Sequence, residues 1–120
     1  MASKTRLERY KRLNGKFLRD AEGLLEKGDS VQSSEKFWGA AAEIVKAYAV
    51  KRGLKTRTHA DLWKIVINLD KENPQLGLHE DFRTAGYLHS NFYEDELRPE
   101  SVRTAGDVVK RFITKMERFL

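Results

Sequence analysis

Arg83 and His89 are the two side chains in this sequence best suited to chemistry, and five residues separate them. Histidine exchanges a proton near neutral pH and serves as a general base. Arginine stays charged and stabilises negative charge that develops on a phosphate. Together these residue types suit proton transfer at a phosphate ester. The three histidines (His59, His79 and His89) show no metal-ligand spacing, and there is no cysteine, so neither a metal site nor a disulfide is predicted.

The helix predicted over residues 78–93 places His89 on its apolar face. At about 100° per residue, His89 shares a stripe with Phe82 and Ala85. Arg83 lies about 120° away by the same arithmetic, so only its long stem or a distorted helix could bring both groups to one phosphate. Two interpretations of His89 follow. It is either a core histidine whose ring nitrogens are bonded by Tyr, Glu or backbone groups, or a histidine at a subunit interface.

Helical periodicity dominates the rest of the chain, and no segment alternates like a strand. Gly28, Gly53 and the Thr58 cap with its reciprocal Asp61 mark helix ends. The predicted helices cover residues 5–27, 30–52, 58–73, 78–93 and 99–120. Five helices with short connections predict an all-α antiparallel bundle. The length of 120 residues predicts one domain over residues 1–120.

The formal net charge of +5 is unevenly distributed along the chain. A basic excess favours an anionic partner such as RNA, DNA or a nucleotide, or it serves solubility alone. Basic residues crowd the first helix: Lys4, Arg6, Arg9, Lys11, Arg12, Lys16 and Arg19. In the loop before helix three, Lys55 and Arg57 lie beside a helix N-terminus, where they could hold a phosphate or remain solvated.

No apolar run approaches the ~20 residues of a membrane span. The first residues also lack the apolar centre of a signal peptide. The sequence therefore predicts a cytoplasmic protein with no membrane partner.

Several short motifs carry a resemblance to a known group of proteins. Residues 43–47 (Glu-x-x-Lys-Ala) and 58–62 (Thr-His-x-Asp-Leu) resemble the HEPN superfamily of small helical domains. Residues 81–94, DFRTAGYLHSNFYE, with Lys-Gly-Asp at 27–29 and Ser-Glu-Lys-Phe at 34–37, resemble its archaeal PaREP branch. The likeness covers about residues 15–118. It implies an HEPN-like bundle, homodimers with composite sites, and binding of nucleotides or cleavage of RNA.

The resemblance also assigns roles to the pair named first. HEPN ribonucleases carry an Arg-x(4–6)-His motif, and Arg83 and His89 meet that spacing. Thr84 departs from the Asn, Asp or His that usually follows the arginine in those nucleases. In an active site His89 would take the proton of a ribose 2′-OH, and Arg83 would stabilise the phosphorane-like transition state. The products would end in a 2′,3′-cyclic phosphate, with no metal and no cofactor needed.

The remaining candidates surround that pair in the sequence or match the family pattern. Tyr87 and Tyr93 could stack on a base or orient the phosphate, and Asn91 is grouped with them as a binding residue. Glu43 and Lys46 match inner polar positions of HEPN domains. They either border a ligand pocket or form an exposed pair at helical spacing.

Three further residues are interpreted as structural. His59 sits beside the Thr58 cap and is predicted to pack on the loop rather than to act in catalysis. Trp38 and Trp63 lie at helical core spacings, which favours packing over base stacking.

The sequence thus predicts a nucleotide- or RNA-binding HEPN-like domain, with endoribonuclease activity as its enzymatic form. The alternative is a non-catalytic module that partners a nucleotidyltransferase-like protein or serves a structural role. Fold alone does not decide between them.

Overall fold

Five α-helices follow one another in the computed structural model, which describes residues 2–120. They are α1 (Ala2–Glu26), α2 (Ser30–Arg52), α3 (His59–Glu72), α4 (Leu78–Glu94) and α5 (Pro99–Glu117), with a 3-10 turn at Pro74–Leu76 between α3 and α4. The described residues form no strand. The all-α prediction is confirmed, and the predicted helices differ from the observed ones by three residues or fewer at either end.

Local capping interactions explain why these boundaries could be predicted. Asp29 accepts a hydrogen bond from the backbone N–H of Gln32 at 3.0 Å and starts α2. Gly53 ends α2 with a φ of 67°, a conformation that glycine adopts without steric cost. Thr58 and Asp61 bond each other's backbone N–H groups in a capping box that starts α3.

Helices α1 and α2 form an antiparallel hairpin fastened by buried polar side chains. The Asn14 amide donates to the Ala40 carbonyl at 2.7 Å. The Ser33 hydroxyl donates to the Ala21 carbonyl at the same distance. Ala21 and Ala40 are fully buried, so the two backbones approach closely because no large side chain separates them.

Helix α2 is central, since it packs against each of the other four α-helices. Phe37 projects from α2 into the core and meets Gly106 of α5. A Cβ added at Gly106 would lie 2.5 Å from Cζ of the Phe37 ring. The absent side chain at Gly106 is therefore what allows the buried phenyl ring to fit between the two helices.

Helix α4 is anchored from α5 by a partly buried ion pair. The Lys115 ammonium donates to the Asp81 carboxylate at 2.7 Å and to the Leu76 carbonyl at 2.7 Å. These contacts fix the first turn of α4 and the 3-10 turn before it, and so set where the following residues of α4 lie.

Within residues 2–120, no helix combines the length and apolar character that crossing a bilayer requires.

Replacing Gly106 with alanine should destabilise the protein, because the new methyl group would overlap the Phe37 ring in a packed core. We expect a loss of about 1–3 kcal/mol in the free energy of unfolding, measured by urea denaturation. The control is Gly23→Ala in α1, where an added Cβ meets nothing within 4 Å. That variant should gain about 0.5–1 kcal/mol from helix propensity alone. Equal stability of the two variants would contradict this account of the core.

Candidate functional site

A shallow groove of about 420 Å³ lies where α2, α3 and α4 meet. Its lining includes both residues of the predicted catalytic pair, and it comprises Trp38, His59, Trp63, Arg83, Gly86, Tyr87, His89 and Ser90. Arg83 and His89 therefore border one groove, although they lie on different faces of α4. The groove reaches both because α3 forms its opposite wall and leaves a wide strip of α4 uncovered.

The His89 ring is oriented by a carboxylate from α2. Its Nδ1 lies 2.7 Å from Oε1 of Glu35. An ionised carboxylate only accepts hydrogen bonds, so Nδ1 carries the proton of the pair. In the neutral ring, Nε2 is then the basic nitrogen.

His89 is neither a fully buried core residue nor a freely exposed one. Its side chain is 26% exposed and that of Glu35 is 29% exposed. The imidazole stacks on the indole of Trp38, with 5.1 Å between ring centroids and 26° between planes. One face of the ring is thus supported by the core while part of it stays reachable from solvent.

His59 lies in the groove, and this position differs from the sequence prediction. Its ring is 5.3 Å from the His89 ring and 5.3 Å from the Trp38 ring, centroid to centroid. It packs on these two rings rather than on the loop that precedes α3. His59 is the first residue of α3, so the capping box at Thr58 determines where the imidazole starts.

The two tryptophans pack in the core as predicted, and they also border the groove. Trp38 is buried, and Trp63 is partly buried against the same core. Gly86 of α4 makes the position of Trp63 possible, since a Cβ at Gly86 would lie 2.8 Å from Cζ2 of the indole. The Trp63 ring therefore lies directly against the α4 backbone.

The two candidate tyrosines are among the most exposed large side chains. Tyr87 is 57% exposed and borders the groove. Tyr93 is 69% exposed, and its ring meets the edge of the His89 ring at 5.5 Å. Both rings leave aromatic surface open beside the histidine, which is the arrangement that base stacking requires.

Asn91, grouped with the binding residues by sequence, lies in the interior. Its Nδ2 donates to the Ser34 hydroxyl at 2.9 Å, and its Oδ1 accepts from the backbone N–H groups of Glu96 and Leu97 at 2.8 Å each. The side chain is buried and holds the turn between α4 and α5. The structure gives it a structural position outside the groove.

The basic loop residues also lie apart from the groove. Lys55 borders a separate cavity of about 390 Å³ between the end of α2 and α3, together with Tyr48 and Asp61. Arg57 is exposed, and its backbone N–H donates to Asp61 at 2.9 Å. Neither cation is brought to His89.

Glu43 and Lys46 form a partly buried pair in α2. The Lys46 ammonium lies 3.4 Å from Oε1 of Glu43. Only 8% of Glu43 is exposed, and its Oε2 has no hydrogen-bond partner among the described residues. The interpretation of this pair as an exposed one is therefore wrong, because the α1–α2 hairpin covers the glutamate. The groove does not include either residue.

Groups able to hold a metal ion do not converge in the part of the chain that the structure describes: no three His, Asp or Glu side chains there share a suitable centre. The polar chemistry of the groove rests on the two imidazoles, the Glu35 carboxylate and the Arg83 guanidinium.

Sequence comparison places this all-α protein among archaeal helical proteins. The chain belongs to the archaeal PaREP1/PaREP8 family, whose model matches residues 9–113. No curated protein matches it.

A solved structure supports the fold. A crystal structure of a protein from Sulfolobus solfataricus matches with a TM-score of 0.79. The match covers 89% of this chain and 95% of the other, at 24% sequence identity. At that identity the likeness establishes the shared fold and does not extend to function.

Asn91→Ala should lower stability rather than remove a ligand contact. The substitution leaves two buried backbone N–H groups and the Ser34 hydroxyl without their partner, a loss of roughly 1–3 kcal/mol. Thermal or urea unfolding measures it. The matched control is Asn68→Ala, an exposed asparagine on α3, which should change stability by less than about 0.5 kcal/mol. Unchanged stability in Asn91→Ala would show that the turn does not depend on this side chain.

Proposed function

We propose that this protein is an HEPN-like domain that binds RNA in the α2–α3–α4 groove and cleaves it without a metal ion. The observation that carries the proposal is the Glu35–His89 hydrogen bond inside a groove that also holds a second imidazole and a guanidinium. A carboxylate that fixes the tautomer of an imidazole is a recurrent means of preparing a general base.

The proposed reaction uses the 2′-OH of RNA as the nucleophile. Nε2 of His89 takes the hydroxyl proton, and the 2′ oxygen attacks the adjacent phosphorus. The bond from phosphorus to the 5′ oxygen of the next nucleotide breaks, and that oxygen receives a proton from His59. One product ends in a 2′,3′-cyclic phosphate and the other begins with a 5′-OH. DNA would not react because it lacks the attacking hydroxyl.

Arg83 supplies the remaining electrostatic component in this proposal. The phosphorane-like transition state carries more negative charge than the phosphodiester. A guanidinium beside it stabilises the transition state more than the ground state, which lowers the barrier. The guanidinium borders the groove on the strip of α4 that α3 leaves uncovered.

Exposed aromatic rings support the binding part of the proposal. Tyr87 and Tyr93 flank His89 on the open side of α4. Stacking of a base on an aromatic side chain contributes about 1–3 kcal/mol. Unpaired bases can therefore be held next to the reacting phosphate.

Two assembly states are compatible with a groove on the surface of the bundle. In the first, the exposed face of α4 pairs with its copy in a homodimer, so that two grooves form one composite site. In the second, the domain binds a nucleotide without cutting and partners a nucleotidyltransferase-like protein. Thr84 favours the second state, because its hydroxyl donates to the Glu80 carbonyl of its own helix at 3.5 Å and it replaces the polar residue usual in the nucleases.

Cleavage should depend on the groove histidines and not on histidine in general. Incubated with mixed RNA in EDTA, the wild-type protein is expected to leave 2′,3′-cyclic phosphate ends. His89→Ala should slow cleavage by about 10²–10⁴-fold, the usual contribution of a general base. His79→Ala is the matched control, since His79 lies outside the groove lining. Cleavage that persists in His89→Ala, or none over a wide range of protein concentration, contradicts the nuclease.

Nucleotide binding should be visible in the intrinsic fluorescence. The chain has two tryptophans, and both border the groove, so a bound nucleoside monophosphate should quench their emission. Arg83→Gln should weaken binding by about tenfold or more, because a charge-assisted contact contributes roughly 1.5–3 kcal/mol. Arg111→Gln, an exposed arginine on α5, should bind like the wild type. Quenching without cleavage would support the non-catalytic state, and absence of quenching would contradict binding in the groove.

A further inference from the structure

The basic surface of α1 is a second feature that the groove chemistry does not use. Residues 4–19 contain seven Lys or Arg and one acidic residue, Glu8. This one stretch therefore carries more positive charge than the formal +5 of the whole chain. Each of the seven cationic residues is exposed.

Four of these cations form one continuous line, called here the α1 stripe: Arg9, Arg12, Lys16 and Arg19. Their spacing of three, four and three residues keeps them within an arc of about 80° on an ideal helix. Ten residues at a rise of 1.5 Å give the stripe a length of about 15 Å. A line of cations of this length matches an extended polyanion better than a single phosphate.

The arginines carry most of the free charge in the α1 stripe. Lys16 donates to the Asp20 carboxylate at 2.8 Å. That hydrogen bond holds the pKa of the Asp20 carboxyl below its usual range, so Asp20 stays ionised and offsets the ammonium. No ion pair is recorded for Arg9, Arg12 or Arg19 within residues 2–120.

The α1 stripe leads towards the groove across α2. The Lys36 ammonium lies 4.0 Å from the Asp20 carboxylate and 5.1 Å from the centroid of the Phe17 ring. Lys36 thus extends the positive line from the end of the stripe onto α2. Its chain neighbour is Glu35, which bonds His89. The two surfaces belong to one molecule whose longest dimension is 40 Å, so a strand of several nucleotides can contact both.

We propose that the α1 stripe binds the phosphate backbone of single-stranded RNA and guides the strand into the groove. The proposal rests on the function proposed above and adds the ligand class, an RNA chain rather than a free nucleotide. A membrane surface fits less well. An interfacial helix inserts an apolar face into the lipid, whereas the apolar face of α1 is occupied by α2: Ala21 and Leu25 are core residues and Phe17 packs against them.

The test removes three charges from the stripe and compares an equal loss elsewhere. The α1 variant is Arg9→Gln, Arg12→Gln and Arg19→Gln. The control variant is Arg98→Gln, Arg111→Gln and Arg118→Gln, three exposed arginines around α5. Glutamine preserves helix propensity, and circular dichroism verifies that both variants fold. Binding of a fluorescent, unstructured 20-nucleotide oligoribonucleotide is measured at several salt concentrations.

The α1 variant should bind the oligonucleotide about 100-fold more weakly at 0.1 M salt, from roughly 0.7 in log–log salt slope per phosphate contact on a single strand. Its salt slope should fall by about 2. The control variant should stay within about threefold of the wild type. An equal loss in both variants, or a wild-type protein that binds the oligonucleotide no better than a mononucleotide, overturns the proposal.

Two further measurements separate this proposal from the one on the groove. Quenching of tryptophan fluorescence by a mononucleotide should be unchanged in the α1 variant. If the α1 variant alone loses RNA affinity while no mononucleotide quenches the wild type, the stripe stands and the groove fails. Sedimentation with vesicles of phosphatidylserine and phosphatidylcholine, without RNA binding, would assign the stripe to a lipid surface and overturn its role in RNA binding.

Discussion

The burial of helix α2 is the constraint on which the rest of this structure depends. It packs against every other α-helix, so each of its faces must match a different partner. Small residues such as Ala40 meet α1, and Phe37 meets Gly106 of α5. Its buried polar residues Ser33 and Ser34 bond neighbouring carbonyls and the Asn91 amide, which avoids the cost of unpaired buried polar groups.

The candidate site inherits its geometry from that central helix. Glu35 and Trp38 both project from α2 towards α4, and they hold His89 by a hydrogen bond and by ring stacking. A short contact from a packed helix restrains an imidazole more tightly than a loop would. His59 reaches the same place from α3, where the capping box fixes the helix start. The groove is therefore open to solvent yet built on well-packed elements.

Much of the fold could be predicted from sequence because its determinants are local. The caps at Asp29, Thr58 and Asp61 act over three residues, and the apolar period repeats within each helix. Arg83 and His89 could also be singled out, by residue type and spacing. Glu35 could not, since its contact with His89 joins positions 54 residues apart. Asn91 was grouped with binding residues because an asparagine beside exposed tyrosines has no local sign of burial.

By itself, the sequence determined the helices, their ends, the family and the concentration of positive charge on α1. All of these follow from residue type, short-range periodicity and motif spacing along one chain. Tertiary structure alone decided which polar groups meet: it joined Glu35 to His89, brought His59 beside both, buried Glu43 and Asn91, and left Arg83 on the open strip of α4. The physical reason is that burial and pairing depend on the packing of helices distant in sequence, and helical periodicity specifies a face without naming the partner that will cover it.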